Sequence, residues 1–154
     1  MNKYLAKFDQ TIITFSQKYF PIFSRVALFT VYFWFGLLKV ISYSPAGPLV
    51  TELLQKTLPF LTANQFIFYF GCLEMLIGIL FLIPQLSRLV IAILFLHLIT
   101  TAGPLFLLPQ IAWQNWFIPT LEGQYIIKNL LIIATAMGII SGITPWNTST
   151  KHKR

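Results

Sequence analysis

Four apolar stretches, at about 22–43, 64–83, 86–108 and 124–143, constrain this chain more than any other feature. A bilayer core about 30 Å thick is crossed by roughly 20 apolar residues in a helix. Lipid offers the backbone no hydrogen-bonding partner, and an α-helix supplies its own. These stretches fill over half of the 154 residues, and charged residues make up only 10% of the chain, far below a soluble domain's share. The expectation is all-α: one membrane domain over 1–154, an integral membrane four-helix bundle with an N-terminal interfacial amphipathic helix over 1–20. No repeat of fixed period and no composition break suggests a second domain.

Punctuation between the stretches supports this division. Leu5, Phe8, Ile12, Phe15 and Tyr19 recur at helical spacing, with Lys3, Lys7, Gln10, Gln17 and Lys18 largely opposite. That pattern fits a helix lying on anionic lipid, and Pro21 is expected to turn the chain after it. The first twenty residues read as retained, because the apolar run that follows is too long for a signal peptide and has no small-residue cleavage site. Ser44-Pro45-Ala46-Gly47-Pro48 ends the first crossing. Residues 49–58 are too short to span and carry Glu52 and Lys56, so a short surface helix is expected there. Pro84-Gln85-Leu86-Ser87-Arg88 makes a tight turn. Pro104 frees the carbonyl of Thr100, predicting a bend compensated by the hydroxyls of Thr100 or Thr101. Trp113, Trp116 and Phe117 in the last loop suit headgroup depth.

The formal charge of +7 is concentrated at the ends and in one turn, which favours a membrane surface over nucleic acid. Lys3, Lys7, Lys18, Arg25, Arg88, Lys151, Lys153 and Arg154 fall on one side, and Lys56 lies in an opposite loop. The positive-inside rule places both termini and the Arg88 turn in the cytoplasm. Cys72, the single cysteine, excludes an intramolecular disulfide and reads as inert packing.

Four ionisable residues interrupt the apolar stretches: Lys39, Glu74, His97 and Lys128. Charge in hydrocarbon costs at least about 2.5 kcal/mol, so such side chains face a partner or water. Glu74 and His97 each lie about 15 Å into their helices, near mid-membrane. Lys39 and Lys128 lie in the outer half, where they either snorkel outward or reach Glu74. Gly71, Glu74 and Gly78 share a face of the second crossing, and Tyr32, Phe35, Gly36 and Lys39 share one of the first. His97, Thr100, Thr101 and Pro104 form a polar strip, and Ala134, Gly138 and Gly142 form a small-residue seam of the kind that lets helices approach. One outward-opening cavity lined by Lys39, Glu74, His97 and Lys128 is expected, with Glu74 and His97 as candidate proton-handling groups. The competing reading is structural: a Glu74–lysine pair that fixes helix register, and a hydrogen-bonded core histidine.

Only His97 lies within a crossing, so a haem held by two facing histidines is excluded. No zinc ligand set, P-loop or dinucleotide fingerprint occurs. No cofactor is expected to be built in, and redox chemistry would need a partner subunit or a lipid-soluble carrier such as a lipoquinone.

Phe33-Trp34-Phe35-Gly36-Leu37-Leu38-Lys39, the Gly71-x-x-Glu74-x-x-x-Gly78 face and Gly123-Gln124-Tyr125-Ile126-Ile127-Lys128-Asn129 together resemble the DoxX-like family of four-helix membrane proteins. The last run is similar to its YkgB-like branch. The resemblance covers about residues 22–143. It implies a bacterial-type inner membrane location and recurring polar positions at Lys39, Glu74, Lys128 and Asn129. It also implies a link to quinone-dependent redox chemistry or resistance to oxidants, as a membrane component with a redox partner. His97 and the N-terminal helix lie outside what it implies. On this reading Lys39 and Lys128 hold an anionic or quinone-like group, while Glu74 and His97 handle protons. The alternative is a non-enzymatic assembly or accessory protein whose intramembrane ion pairs are structural. Small-molecule transport is the third reading, disfavoured by the lack of an inverted repeat and revived by homo-oligomerisation through the Ala134–Gly138–Gly142 seam.

Overall fold

The computed structural model describes residues 3–145, so the basic tail of Lys151, His152, Lys153 and Arg154 lies outside the described residues. Eight helices follow in order: α1 (Lys3–Val40), α2 (Gly47–Thr57), α3 (Ala63–Phe81), α4 (Ser87–Ala102), α5 (Pro104–Leu107), α6 (Pro109–Ala112), α7 (Leu121–Ile127) and α8 (Asn129–Ser141). A 3-10 turn at Pro84–Leu86 precedes α4. A small antiparallel hairpin of β1 (Trp113–Asn115) and β2 (Ile118–Pro119) precedes α7. Among the described residues, four units are long and apolar enough to cross a membrane: Lys3–Val40, Ala63–Phe81, Pro84–Leu107 and Leu121–Ser141.

α1 and α3 pack along most of their shared length, α4 lies against α3 and α8, and α8 returns to α1. Glycine sets the α1–α3 approach. A Cβ placed on Gly36 would sit 2.7 Å from the Gly71 carbonyl oxygen, and one on Gly78 would sit 2.9 Å from the Phe33 nitrogen. With hydrogen there instead, the two backbones touch. Leu28, Tyr32, Ile77, Phe81, Val90, Ile91, Leu94, Leu98, Ala136 and Ile139 fill the core between the four units.

The first difference from expectation is at Pro21. The chain does not turn there: α1 runs unbroken from Lys3 to Val40. Proline removes one donor, leaving the Gln17 carbonyl without its usual helical partner, but its φ is helical and need not end the helix. At about 1.5 Å per residue the 38 residues of α1 measure about 57 Å, nearly twice a bilayer core.

The predicted bend at Pro104 is present as a break between α4 and α5. The Gly103 N–H donates to the Thr100 carbonyl at 3.2 Å. The hydroxyls of Thr100 and Thr101 donate to the carbonyls of His97 and Leu98, at 2.7 and 3.0 Å, and not to that of Thr100. The last unit starts earlier than Gln124. Thr120 caps α7 by accepting the Gly123 N–H at 3.1 Å, and the helix is re-set at Lys128 before α8.

Each end of the bundle is tied by a cation to backbone oxygens. At one end Arg25 donates to the Phe81 carbonyl at 3.1 Å and to Ser87 Oγ at 2.7 Å, and Ser87 donates onward to the Pro84 carbonyl at 2.5 Å. At the other end Lys56 of α2 donates to the Leu107 carbonyl at 3.2 Å, and Trp113 Nε1 donates to the Leu105 carbonyl at 3.0 Å. Trp113 is thus folded inward, whereas Trp116 and Phe117 stay exposed at the hairpin tip. α2, α5, α6 and the hairpin form a cap over that end, with Leu54, Leu108 and Ala112 buried beneath it.

Candidate functional site

Glu74 is delivered by the glycine contact. Gly36 and Gly71 bring the antiparallel α1 and α3 into contact, and Lys39 and Glu74, each one turn on in its own helix, reach toward each other past that contact. Lys39 Nζ donates to Glu74 Oε2 at 2.5 Å. The second carboxylate oxygen, Oε1, faces His97 Nε2 of α4 at 3.2 Å. One buried carboxylate is therefore shared by a cation from α1 and an imidazole from α4. Side-chain exposure falls from 14% at Lys39 to 8% at Glu74 and 4% at His97, so Lys39 is the outermost member.

Aromatic rings wall the imidazole. Phe70 stacks on it with centroids 4.7 Å apart and planes 20° apart, and Tyr32 meets it edge-on at 5.4 Å. His97 Nδ1 is buried and has no hydrogen-bond partner among the described residues. If Nε2 carries the proton and donates to Glu74 Oε1, Nδ1 is left with an unshared lone pair. A carboxylate orienting one imidazole nitrogen while the other stays free is the arrangement by which histidine accepts a proton, because the carboxylate stabilises the resulting imidazolium.

Lys39, Glu74 and His97 are brought together as expected, but Lys128 is not. It is exposed at the junction of α7 and α8, with its ammonium 5.3 Å from the Tyr125 ring centroid. The helix is interrupted at Lys128 and the side chain is exposed, so the four-residue grouping contracts to three. Asn129 lies beside the polar strip, donating to Thr101 Oγ1 at 3.3 Å. Phe35 is exposed and does not share the Tyr32–Gly36–Lys39 face, and Cys72 is also exposed and does not pack in the core. Of the seam residues, Gly138 receives the Phe20 ring, whereas Ala134 and Gly142 are exposed.

Phe70 escaped the sequence reading. Its signal was its position four residues before Glu74, on the same face of the helix. The Arg25–Ser87 tie was also missed, since nothing local pairs residues so far apart in the chain. No family model, curated protein or solved structure matches this chain.

Proposed function

We propose that this chain is a multi-pass inner-membrane protein whose Lys39–Glu74–His97 group binds a lipid-soluble, quinone-type ligand and exchanges protons with it. Its place would be as the membrane component of a redox or oxidant-defence system, as the DoxX-like resemblance implies. Membrane insertion is supported by the outward faces of the long helices: Trp34, Leu96, Ile99 and Leu131 are each more than 60% exposed. So much contiguous apolar surface calls for lipid or protein against it. Arg25 and Arg88 cluster at the α3–α4 end with Lys3, Lys7 and Lys18 beyond it, which supports a cytoplasmic assignment for that end.

The observation that carries the ligand reading is the bare Nδ1 of His97. A buried acceptor without a partner is costly, and a hydroxyl donor from a ligand would relieve it. His97 accepts the hydroxyl proton at Nδ1 and Glu74 stabilises the imidazolium. Lys39 offsets the charge of the carboxylate, and Phe70, held between the His97 and Phe66 rings, fixes the imidazole. Electrons pass to a partner subunit, and this chain's residues serve the protons.

A second reading has its own support. The touching backbones at Gly36 and Gly71 make the adjacent Lys39–Glu74 pair a fixer of helix register, which suits an assembly protein. Purification in lipid nanodiscs, followed by solvent extraction and mass spectrometry, separates the two. A quinone present in the wild type and lost from folded Glu74→Gln and His97→Phe variants is the expected result. A folded wild type without any such ligand overturns the ligand reading in favour of register.

A further inference from the structure

The N-terminal half of α1 projects past the bundle, and its two faces are unlike. Stepping about 100° per residue, Phe8, Ile12, Phe15 and Tyr19 fall on one arc, and Lys3, Lys7, Gln10, Thr14 and Lys18 fall on the opposite one. Phe8 is 66% exposed. Asp9 is the single acidic residue against three lysines in this segment, so its polar face is positive.

The register between the two halves of the helix matters most. In the bundled half, Ser24, Leu28, Tyr32 and Gly36 are buried, whereas Phe23, Val26, Thr30 and Trp34 are exposed. The arc of Phe8, Ile12, Phe15 and Tyr19 continues the exposed line, pointing away from the other helices. Pro21 lies on the opposite arc, alongside Leu28 and Arg25, on the side of the bundle. A proline ring crowds the carbonyl four residues earlier, here Gln17, and so opens the helix on its own side. α1 is unbroken at Pro21 in the structure, and the Phe20 ring is seated on Gly138 of α8. A bend at Pro21 would carry residues 3–19 outward from the bundle and turn their aromatic face toward the membrane plane.

We propose that residues 3–19 are an arm, hinged at Pro21, that docks on the anionic headgroup surface of the leaflet the bundle spans. Phe8, Ile12, Phe15 and Tyr19 lie in the acyl boundary, and Lys3, Lys7 and Lys18 stay in the aqueous and headgroup layer. The inference rests on the membrane-spanning reading given above and is independent of any ligand at Glu74. An amphipathic helix docked in this way sinks its apolar face about 5–10 Å into the headgroup–acyl boundary. The three lysines make docking depend on anionic lipid and weaken it as salt screens them.

Spin labels on the full-length protein in vesicles test this. In a Cys72→Ser background, labels are placed by Phe8→Cys, Lys7→Cys and, on the exposed face of α4, Leu96→Cys. Accessibility to oxygen and to a water-soluble nickel chelate is then read in phosphatidylglycerol-containing and in purely zwitterionic vesicles. The Leu96 label reports insertion of the bundle itself: if it reads as aqueous, the membrane reading fails, and the arm with it. With Leu96 in lipid, the expected result is a Phe8 label about 5–10 Å below the phosphates with anionic lipid, a water-accessible Lys7 label, and a shallower Phe8 label without anionic lipid. Pro21→Ala should return the Phe8 label to water. A Phe8 label as water-accessible as Lys7 overturns the proposal. So does dipolar coupling between Phe8 labels at high lipid dilution, which would make a second copy the occupant of this face. A Phe8 label still in lipid after Pro21→Ala removes the hinge.

Discussion

Gly71→Ala adds one methyl at the closest point of the α1–α3 crossing. The new Cβ would lie 2.7 Å from the Gly36 carbonyl oxygen, 2.7 Å from Lys39 Cβ and 3.2 Å from Val40 Cγ2. Carbon contacts are comfortable at about 3.5–4.0 Å, so the helices must part by about 1 Å. Overpacking of this kind costs about 1–3 kcal/mol. Alanine returns about 1 kcal/mol through helix propensity, leaving a net loss of about 0–2 kcal/mol. The same separation lengthens the Lys39–Glu74 contact from 2.5 Å, so register and the ion pair weaken together. Gly142→Ala is the matched control, because the nearest atom to its added Cβ is the Ile139 carbonyl oxygen at 3.7 Å. Reversible unfolding in mixed micelles, followed by tryptophan fluorescence, measures both variants. Equal stability of Gly71→Ala and Gly142→Ala would refute the reasoning, since it would mean the backbones do not touch at Gly71.

Lys39→Met strands the Glu74 carboxylate and should cost about 3–5 kcal/mol in the same assay, with most of the loss recovered in Lys39→Met/Glu74→Leu. Arg25→Ala removes two hydrogen bonds from a cation, each worth about 1.5–3 kcal/mol, and should speed amide exchange across residues 82–88. Lys128→Met, which changes an exposed side chain remote from Glu74, should leave stability within about 0.5 kcal/mol and ligand retention unchanged.

The helical units were legible because apolar runs long enough to cross a bilayer are strong signals. The ionisable residues inside those runs were legible for the same reason, and three of them do converge. What failed was helical phase carried across an interruption. Counting through 124–143 as one helix places Lys128 near Glu74, whereas the helix is interrupted at Lys128 and that side chain is exposed. Pro21 differs in the opposite sense: proline signals a stop, yet α1 continues through it. The hairpin at Trp113–Asn115 and Ile118–Pro119 gave no alternating pattern, being only three and two residues long. Its turn relies on Phe117 at φ 55, a left-handed conformation that a bulky residue rarely shows and that no sequence rule would assign to it. The pairing of Arg25 with Ser87 and Phe81 depends on tertiary approach, which local pattern does not encode.

The protonation pattern of His97 tests proton exchange at the Lys39–Glu74–His97 group most directly. The chain has two histidines, so a His152→Gln variant labelled with 15N-histidine gives one imidazole to observe by solid-state NMR in lipid. The expected spectrum shows a protonated Nε2 and a bare Nδ1 in protein stripped of ligand, with the Nδ1 resonance moving when a short-chain benzoquinol is added. A proton on Nδ1 with Nε2 bare, or an Nδ1 resonance indifferent to the quinol, would contradict it.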